Sequence, residues 1–309
     1  MASASLVGQP TARDLAIRKG IVYIESVAKD PVAGVDYGTD LLWCLYTLSD
    51  MPADPEVRRI TTPMAREAAR RWLARHPSLP ANADAGDLVL YGTALYAAAH
   101  LGFPTGRLVS QVRKRAAQIP VRDYYGFDPL HEAPSGKDRY DLWCDALITA
   151  QAGEIIGAKL GAAFSDVIRW LPSMRPYPPP LDEASFYSAF YAITHVVYTI
   201  NNYSAYAVDR ECLKPEFDYL RANLPQAIKL NDPETMGEFL DTLRAFGMTD
   251  RDPEIQQGVK FLLSTQNADG SWGDPKDRDI YDRYHSTWTA VDGLLDYRFQ
   301  PAPACPVKR

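Results

Sequence analysis

The chain has 309 residues, 46% hydrophobic and 23% charged, and carries a formal net charge of −6 at pH 7. That composition builds an ordinary globular core. An acidic chain without a Lys/Arg stripe is a poor match for nucleic acid or an anionic membrane.

Helical periodicity dominates from the first element onward, and no series of alternating strands with hairpin turns appears. The segment 11–29, "TARDLAIRKGIVYIESVAK", is amphipathic and charged, whereas 36–50, "DYGTDLLWCLYTLSD", is nearly uncharged around its circumference. The contrast recurs along the chain. Charged segments at 63–76, 106–119, 154–171, within 207–229 and at 253–266 each precede a mostly apolar one, at 87–102, 140–153, 185–203, 235–247 and 283–297. An amphipathic helix shows one face to water and an all-apolar helix is buried. Six such pairs, about 50 residues apart, form a repeat whose physical solution is two layers. The expected fold is all-α: an (α/α)6 toroid of six inner and six outer helices over residues 1–300, with 301–309 as a short tail. An irregular helical bundle or a short open solenoid is the competing arrangement.

The proline-rich stretch 171–184 precedes the fourth inner helix and is expected to act as a lid or a plain connector. Cys44, Cys144, Cys212 and Cys305 are far apart and form no CxxC pair, so a disulfide framework and a cysteine-rich zinc module are not expected. No stretch reaches the roughly 20 apolar residues of a membrane span, and "MASASLVGQPTARDL" lacks a signal pattern. The expected location is cytoplasmic.

"QGVKFLLSTQNADGSWGD" (257–274) places Gly258, Phe261, Leu262, Gln266, Gly270 and Trp272 at a distinctive spacing. These residues resemble the QW motif of squalene–hopene and oxidosqualene cyclases, with Gln257 where that family has Lys or Arg. A degenerate copy without its Gln or Trp starts at Lys19-Gly20. The segment "DRYHSTWTAVDGLL" is similar to the one that follows the corresponding repeat in protein prenyltransferase β subunits. In the cyclases the motif is structural, and the resemblance implies that Gln266 ties off a helix end while Trp272 packs beside it. It also implies an isoprenoid-derived substrate. No DxDD acid motif and no DDxxD diphosphate site is present. His285 matches the zinc His of the prenyltransferases, but Asp141 and Cys144 lie in a different repeat at a different spacing.

The inner helices themselves carry polar stripes. Tyr187, Tyr191, His195, Tyr198 and Asn202 recur at i+3 and i+4 on the fourth, a costly set in a dry core and a natural cavity wall. Asp141 and Asp145 share a face of the third helix, Glu234, Glu238 and Asp241 of the fifth, and Tyr281, His285, Trp288 and Asp292 of the sixth. Asp40 with Cys44 on the first and Tyr91 on the second continue the pattern. His195, Asp145, Glu238, Asp141 and Tyr198 are the catalytic candidates; Asp40, Tyr91, Tyr187, Tyr191, Asn202 and Trp288 are expected to line the substrate cavity. A His with carboxylates serves acid–base chemistry or a metal, and His195, His285, Asp145 and Glu238 are the candidate ligands for iron, copper or zinc. The bland reading is that each His is hydrogen-bonded structure and each acid a helix cap.

The expected function is therefore an enzyme acting on a small hydrophobic substrate inside the toroid. Three alternatives use the same residues: a metal-dependent oxidative enzyme, a toroid that binds a ligand or protein without catalysis, and a carbohydrate-active enzyme with a placed carboxylate pair. The oligomeric state is open.

Overall fold

The computed structural model describes residues 9–179 and 182–306, and among them there are helices and two isolated bridges but no strand. The helices are α1 (Ala12–Lys29), α2 (Ala33–Asp36), α3 (Gly38–Asp50), α4 (Pro55–Arg75), α5 (Ala85–His100), α6 (Gly106–Ala116), α7 (Val121–Tyr125) and α8 (Arg139–Ile155). The second half holds α9 (Phe164–Ile168), α10 (Leu171–Met174), α11 (Glu183–Ile200), α12 (Lys214–Leu230), α13 (Pro233–Ala245), α14 (Pro253–Thr265) and α15 (Ile280–Leu294).

The mostly apolar segments become α3, α5, α8, α11, α13 and α15, and each of these helices packs on the next in that order. A Tyr284 hydroxyl at 3.4 Å from Asp40 Oδ2 brings α15 back beside α3. Their N-termini lie at one end. Tyr187 of α11 donates to the α13 N-cap Asp232, and Tyr191 donates to Glu234 one turn further along. Asp84, Asp138, Asp182, Asp232 and Asp279 are the N-cap residues of the five later helices, and α3 is preceded by Asp36. Short polar side chains accept from orphan N–H groups and complement the positive end of the helix dipole, so this placement is favourable.

The tightest crossing joins α13 to α15, where Gly237 and Gly293 meet. A Cβ on Gly237 would collide with the Thr289 carbonyl and the Ala290 nitrogen, backbone atoms that cannot rotate away. Gly237→Ala is expected to destabilise by about 1–3 kcal/mol. Urea unfolding would measure it, and an unchanged midpoint would mean the helices separate freely.

The 257–274 stretch is a brace. Gln266 caps α14, but its amide donates to Ala16 of α1 at 2.9 Å and to Gly270 at 3.0 Å, so it ties a turn and a neighbouring helix rather than the end of α14. Trp272 is fully buried, its indole donating to Leu262 at 2.8 Å and its backbone N–H to Thr287 at 3.0 Å. Gly270 has φ +92°, and a Cβ there would lie 2.7 Å from the Lys19 carbonyl. Gly20, in the degenerate copy, sits directly against Trp272 and Val291.

Four sequence expectations change. The charged helix expected over 154–171 is broken after Ile155, because the chain turns through Gly157 (φ +61°) and Gly161 (φ +72°) before α9 and α10. The apolar helix expected to reach residue 203 stops at Ile200, and Asn202, Tyr203 and Ser204 follow in left-handed conformation. The proline-rich stretch is anchored away from the cavity. Arg175 forms a two-point ion pair with the buried Glu216 of α12 at 2.9 and 2.6 Å, and Tyr177 donates to the same carboxylate; residues 180–181 of this stretch lie outside the described residues. Lastly, Cys212 and Cys305 form a disulfide across 93 residues of sequence, so position 305 of the expected tail is fastened to the body; residues 307–309 lie outside the described residues.

Candidate functional site

A cavity of about 230 Å³ lies among the six mostly apolar helices, each of which contributes to its wall. α3 supplies Thr39, Asp40, Trp43 and Thr47; α15 supplies Tyr281, His285, Trp288 and Asp292; α11 and α13 face each other through His195, Tyr198, Glu238 and Asp241. The mouth is at the N-terminal end, where Leu90 of α5 lines the cavity while remaining 48% exposed. The opposite end is closed by Tyr203, Ser204 and Tyr297, which follow the C-termini of α11 and α15. Residues 296–300 run across that end, bridging Pro52 through Tyr297 and Tyr206 through Gln300.

Of the sequence candidates, Asp40, His195, Tyr198, Glu238, His285 and Trp288 come together here. Tyr191 stands behind them, its hydroxyl 2.8 Å from Glu234. Asn202 is also behind the wall, accepting from Gln151 at 2.9 Å and lying 3.3 Å from the Tyr96 hydroxyl. Tyr187 serves Asp232, and Tyr91 packs on Trp72 with its hydroxyl on Ser78, away from the space. Asp141 and Asp145 are exposed on α8 and do not line the cavity. The candidate ligand set His195, His285, Asp145 and Glu238 is therefore not assembled. Among the described residues no three His, Cys, Asp or Glu side chains are grouped to hold a metal ion.

Electrostatics divides the groups sharply. His195 Nδ1 is 2.8 Å from the Tyr191 carbonyl, which can only accept, so Nδ1 carries the proton and Nε2 keeps its lone pair. Burial pushes this imidazole down to about 4, so it is neutral at pH 7. Glu238 behaves oppositely: burial, reinforced by the charge of Glu234, pushes its carboxyl up to about 8. Burial would also raise Glu234, but His285, Tyr191 and Ser286 outweigh it and hold that carboxylate below its ordinary value. His285 Nδ1 lies 3.2 Å from Glu234 Oε1. Burial would lower His285, yet the Glu234 contact wins and raises it to about 8, giving a charged pair beside a neutral acid and a neutral base. Asp241 and Asp292 are both held above the carboxylate range, chiefly by burial, and titrate as a pair.

Tyr203 was expected as the last residue of the fourth inner helix, off its polar stripe, and Ser204 just beyond it; the end of α11 at Ile200 and the left-handed turn that follows bring both to the cavity. Left-handed φ at three consecutive non-glycine residues is sparsely populated and costs on the order of 1–3 kcal/mol per residue. The Asn201 side chain accepting from the Ser204 N–H, and Ser204 Oγ donating to Asp241 at 2.8 Å, hold the segment in place. "NNYS", with two asparagines tolerant of that conformation, was the available signal.

No known protein family, curated protein or solved structure matches the chain. The site is read on its own residues.

Proposed function

We propose that the chain is an acid–base enzyme acting on a small, largely hydrophobic molecule held in this cavity. The scaffold we assign is an (α/α)6 toroid akin to the terpenoid cyclases and protein prenyltransferases. The sequential packing of the six mostly apolar helices and the Gln266–Trp272 brace between α14, α1 and α15 support that scaffold.

One observation carries the chemistry: a protonated buried carboxyl, Glu238, and an unprotonated imidazole, His195, line one enclosed space. Environments that push two titratable groups to opposite sides of neutrality assign an acid and a base. Glu238 would give its proton to the substrate and His195 Nε2 would remove one from another position, so the net change is an isomerisation, a cyclisation or an elimination. Positive charge arising between the two steps would face the rings of Trp43, Tyr198, Tyr203 and Trp288. The cavity is below the roughly 300–1,000 Å³ typical of drug-sized ligand sites, which favours a compact substrate over a long polyene.

The test is solvent-deuterium incorporation, read by mass spectrometry, into a panel of compact unsaturated alcohols, aldehydes and amines. Wild-type protein is expected to label at least one, and Glu238→Gln and His195→Gln are each expected to slow labelling by about 10²–10⁴-fold. No labelling of any member, or labelling untouched by both changes, would overturn the proposal. So would stoichiometric iron, zinc or copper in the purified protein that disappears in His195→Ala.

A further inference from the structure

The charge of the cavity's ligand can be read from what lines it. None of the lining side chains is Lys or Arg, so a phosphate or carboxylate group would find no cationic fork there. Carboxyls face the space instead: Asp40 from α3, Glu238 and Asp241 from α13, and Asp292 from α15. Glu238 is 3% exposed, and its Oε2 has no hydrogen-bond partner. A buried polar atom left unpaired is costly, and one aimed into a cavity is provided for by what enters it.

Aromatic faces complete the surround. Trp43 meets Tyr203 edge-on at 5.1 Å between ring centres, Tyr203 stacks on Tyr198 at 5.6 Å, and Trp288 packs against His285 at 5.6 Å. Rings and carboxyls together are the surroundings an organic ammonium ion prefers.

We propose that the cavity receives a small organic cation, an amine or quaternary ammonium centre on a compact apolar body, seated among Trp43, Tyr198, Tyr203 and Trp288 and facing Glu238 and Asp292. This rests on reading the cavity as the substrate site and names the substrate class.

The resident positive charges are each countered by carboxylates. His285 is engaged by Glu234 from α13, and Arg244, beneath Asp241, is bound by Asp250 at 2.6 Å and Asp296 at 2.9 Å. His195 of α11 is neutral. Glu238 is faced by Glu234 and Asp232 on its own helix side, by Thr194 from α11 and by His285 from α15. An arriving cation would take the place of a proton on the Asp241–Asp292 pair, which also lines the cavity, while Glu238 keeps its own; binding should therefore release protons and tighten as pH rises. Loss of the His285 proton near pH 8 acts in the same direction.

Titration calorimetry of the full chain can decide this with three probes of one shape: choline, its uncharged carbon isostere 3,3-dimethyl-1-butanol, and 3,3-dimethylbutyrate. Choline is expected to bind at least tenfold tighter than the alcohol at pH 8, several-fold tighter at pH 8.5 than at pH 6, and with proton release. Asp292→Asn should cut the preference for choline over the alcohol to threefold or less, and a far-UV circular dichroism spectrum and urea midpoint close to wild type would show that the fold around the cavity is intact. Equal or tighter binding of the alcohol or the carboxylate, or no binding of any probe, would overturn the cation assignment. The enzyme reading is tested apart from it. Choline binding that survives His195→Gln while deuterium labelling fails in wild type would leave a cation-binding protein without acid–base chemistry.

Discussion

Glu238→Gln is expected to stabilise the protein at alkaline pH, on the order of 5 kcal/mol at pH 8.5, although Glu238 is the residue to which the proton donation is assigned. The sign follows from where the carboxyl titrates. Unfolded, a Glu loses its proton near 4.5; folded, this one holds it to about 8. Below pH 4.5 both states are protonated and the group contributes nothing. Between 4.5 and 8 only the native state keeps the proton, so stability falls as pH rises, and above 8 the penalty is complete. Each unit of difference corresponds to about 1.4 kcal/mol. Gln keeps the shape of the neutral acid and never ionises, so the variant should match wild type at pH 4.5 in urea unfolding and pull ahead at pH 6.5 and 8.5. Coincident curves at all three pH values would mean that Glu238 ionises freely in the fold. A residue that weakens the fold at the pH where it is used is typical of a functional site.

Trp272→Ala is expected to cost about 3–5 kcal/mol, the range for deleting a fully buried large aromatic side chain. The indole fills the junction of α14, α1 and α15, and its removal would leave the Leu262 carbonyl with only the longer bond from the Thr265 hydroxyl. Trp272→Phe, which keeps a ring and loses the N–H, should fall between variant and wild type, and it covers the case in which the alanine variant does not fold. Gln266→Ala should cost about 1–2 kcal/mol, since its two bonds go to neutral carbonyls of the buried residues Ala16 and Gly270. A tryptophan variant within 1 kcal/mol of wild type would show that the 257–274 stretch does not brace the fold.

Much of the architecture was legible because burial is written in composition. A helix such as 185–203 carries no Asp, Glu, Lys or Arg on any face, and most of α11 is buried. The stripe on α11 was legible too, since His195 and Tyr198 at i+3 fall on one face. Its ends were not. Periodicity placed Tyr187 on the same stripe, but α11 reaches past the cavity toward the mouth, and that tyrosine meets Asp232 instead. Asp145 failed for a different reason. A carboxylate on a mostly apolar helix reads as inward-facing, yet α8 leaves the face carrying Asp141 and Asp145 open to solvent. The pairing of Cys212 with Cys305 was out of reach, because separation along the chain says nothing about where the final segment returns. Tyr297 was expected as the last residue of the sixth inner helix, but α15 stops at Leu294, and the path of residues 296–300 brings its ring into the cavity.

That returning segment has a consequence for traffic. The end of the cavity opposite Leu90 is crossed by chain that is bridged to residues on both sides and held further along by a disulfide. Among the described residues, that end of the cavity is closed. If the proposed enzyme reading holds, a product would have to leave by the side through which its precursor entered, and added product should inhibit in competition with substrate.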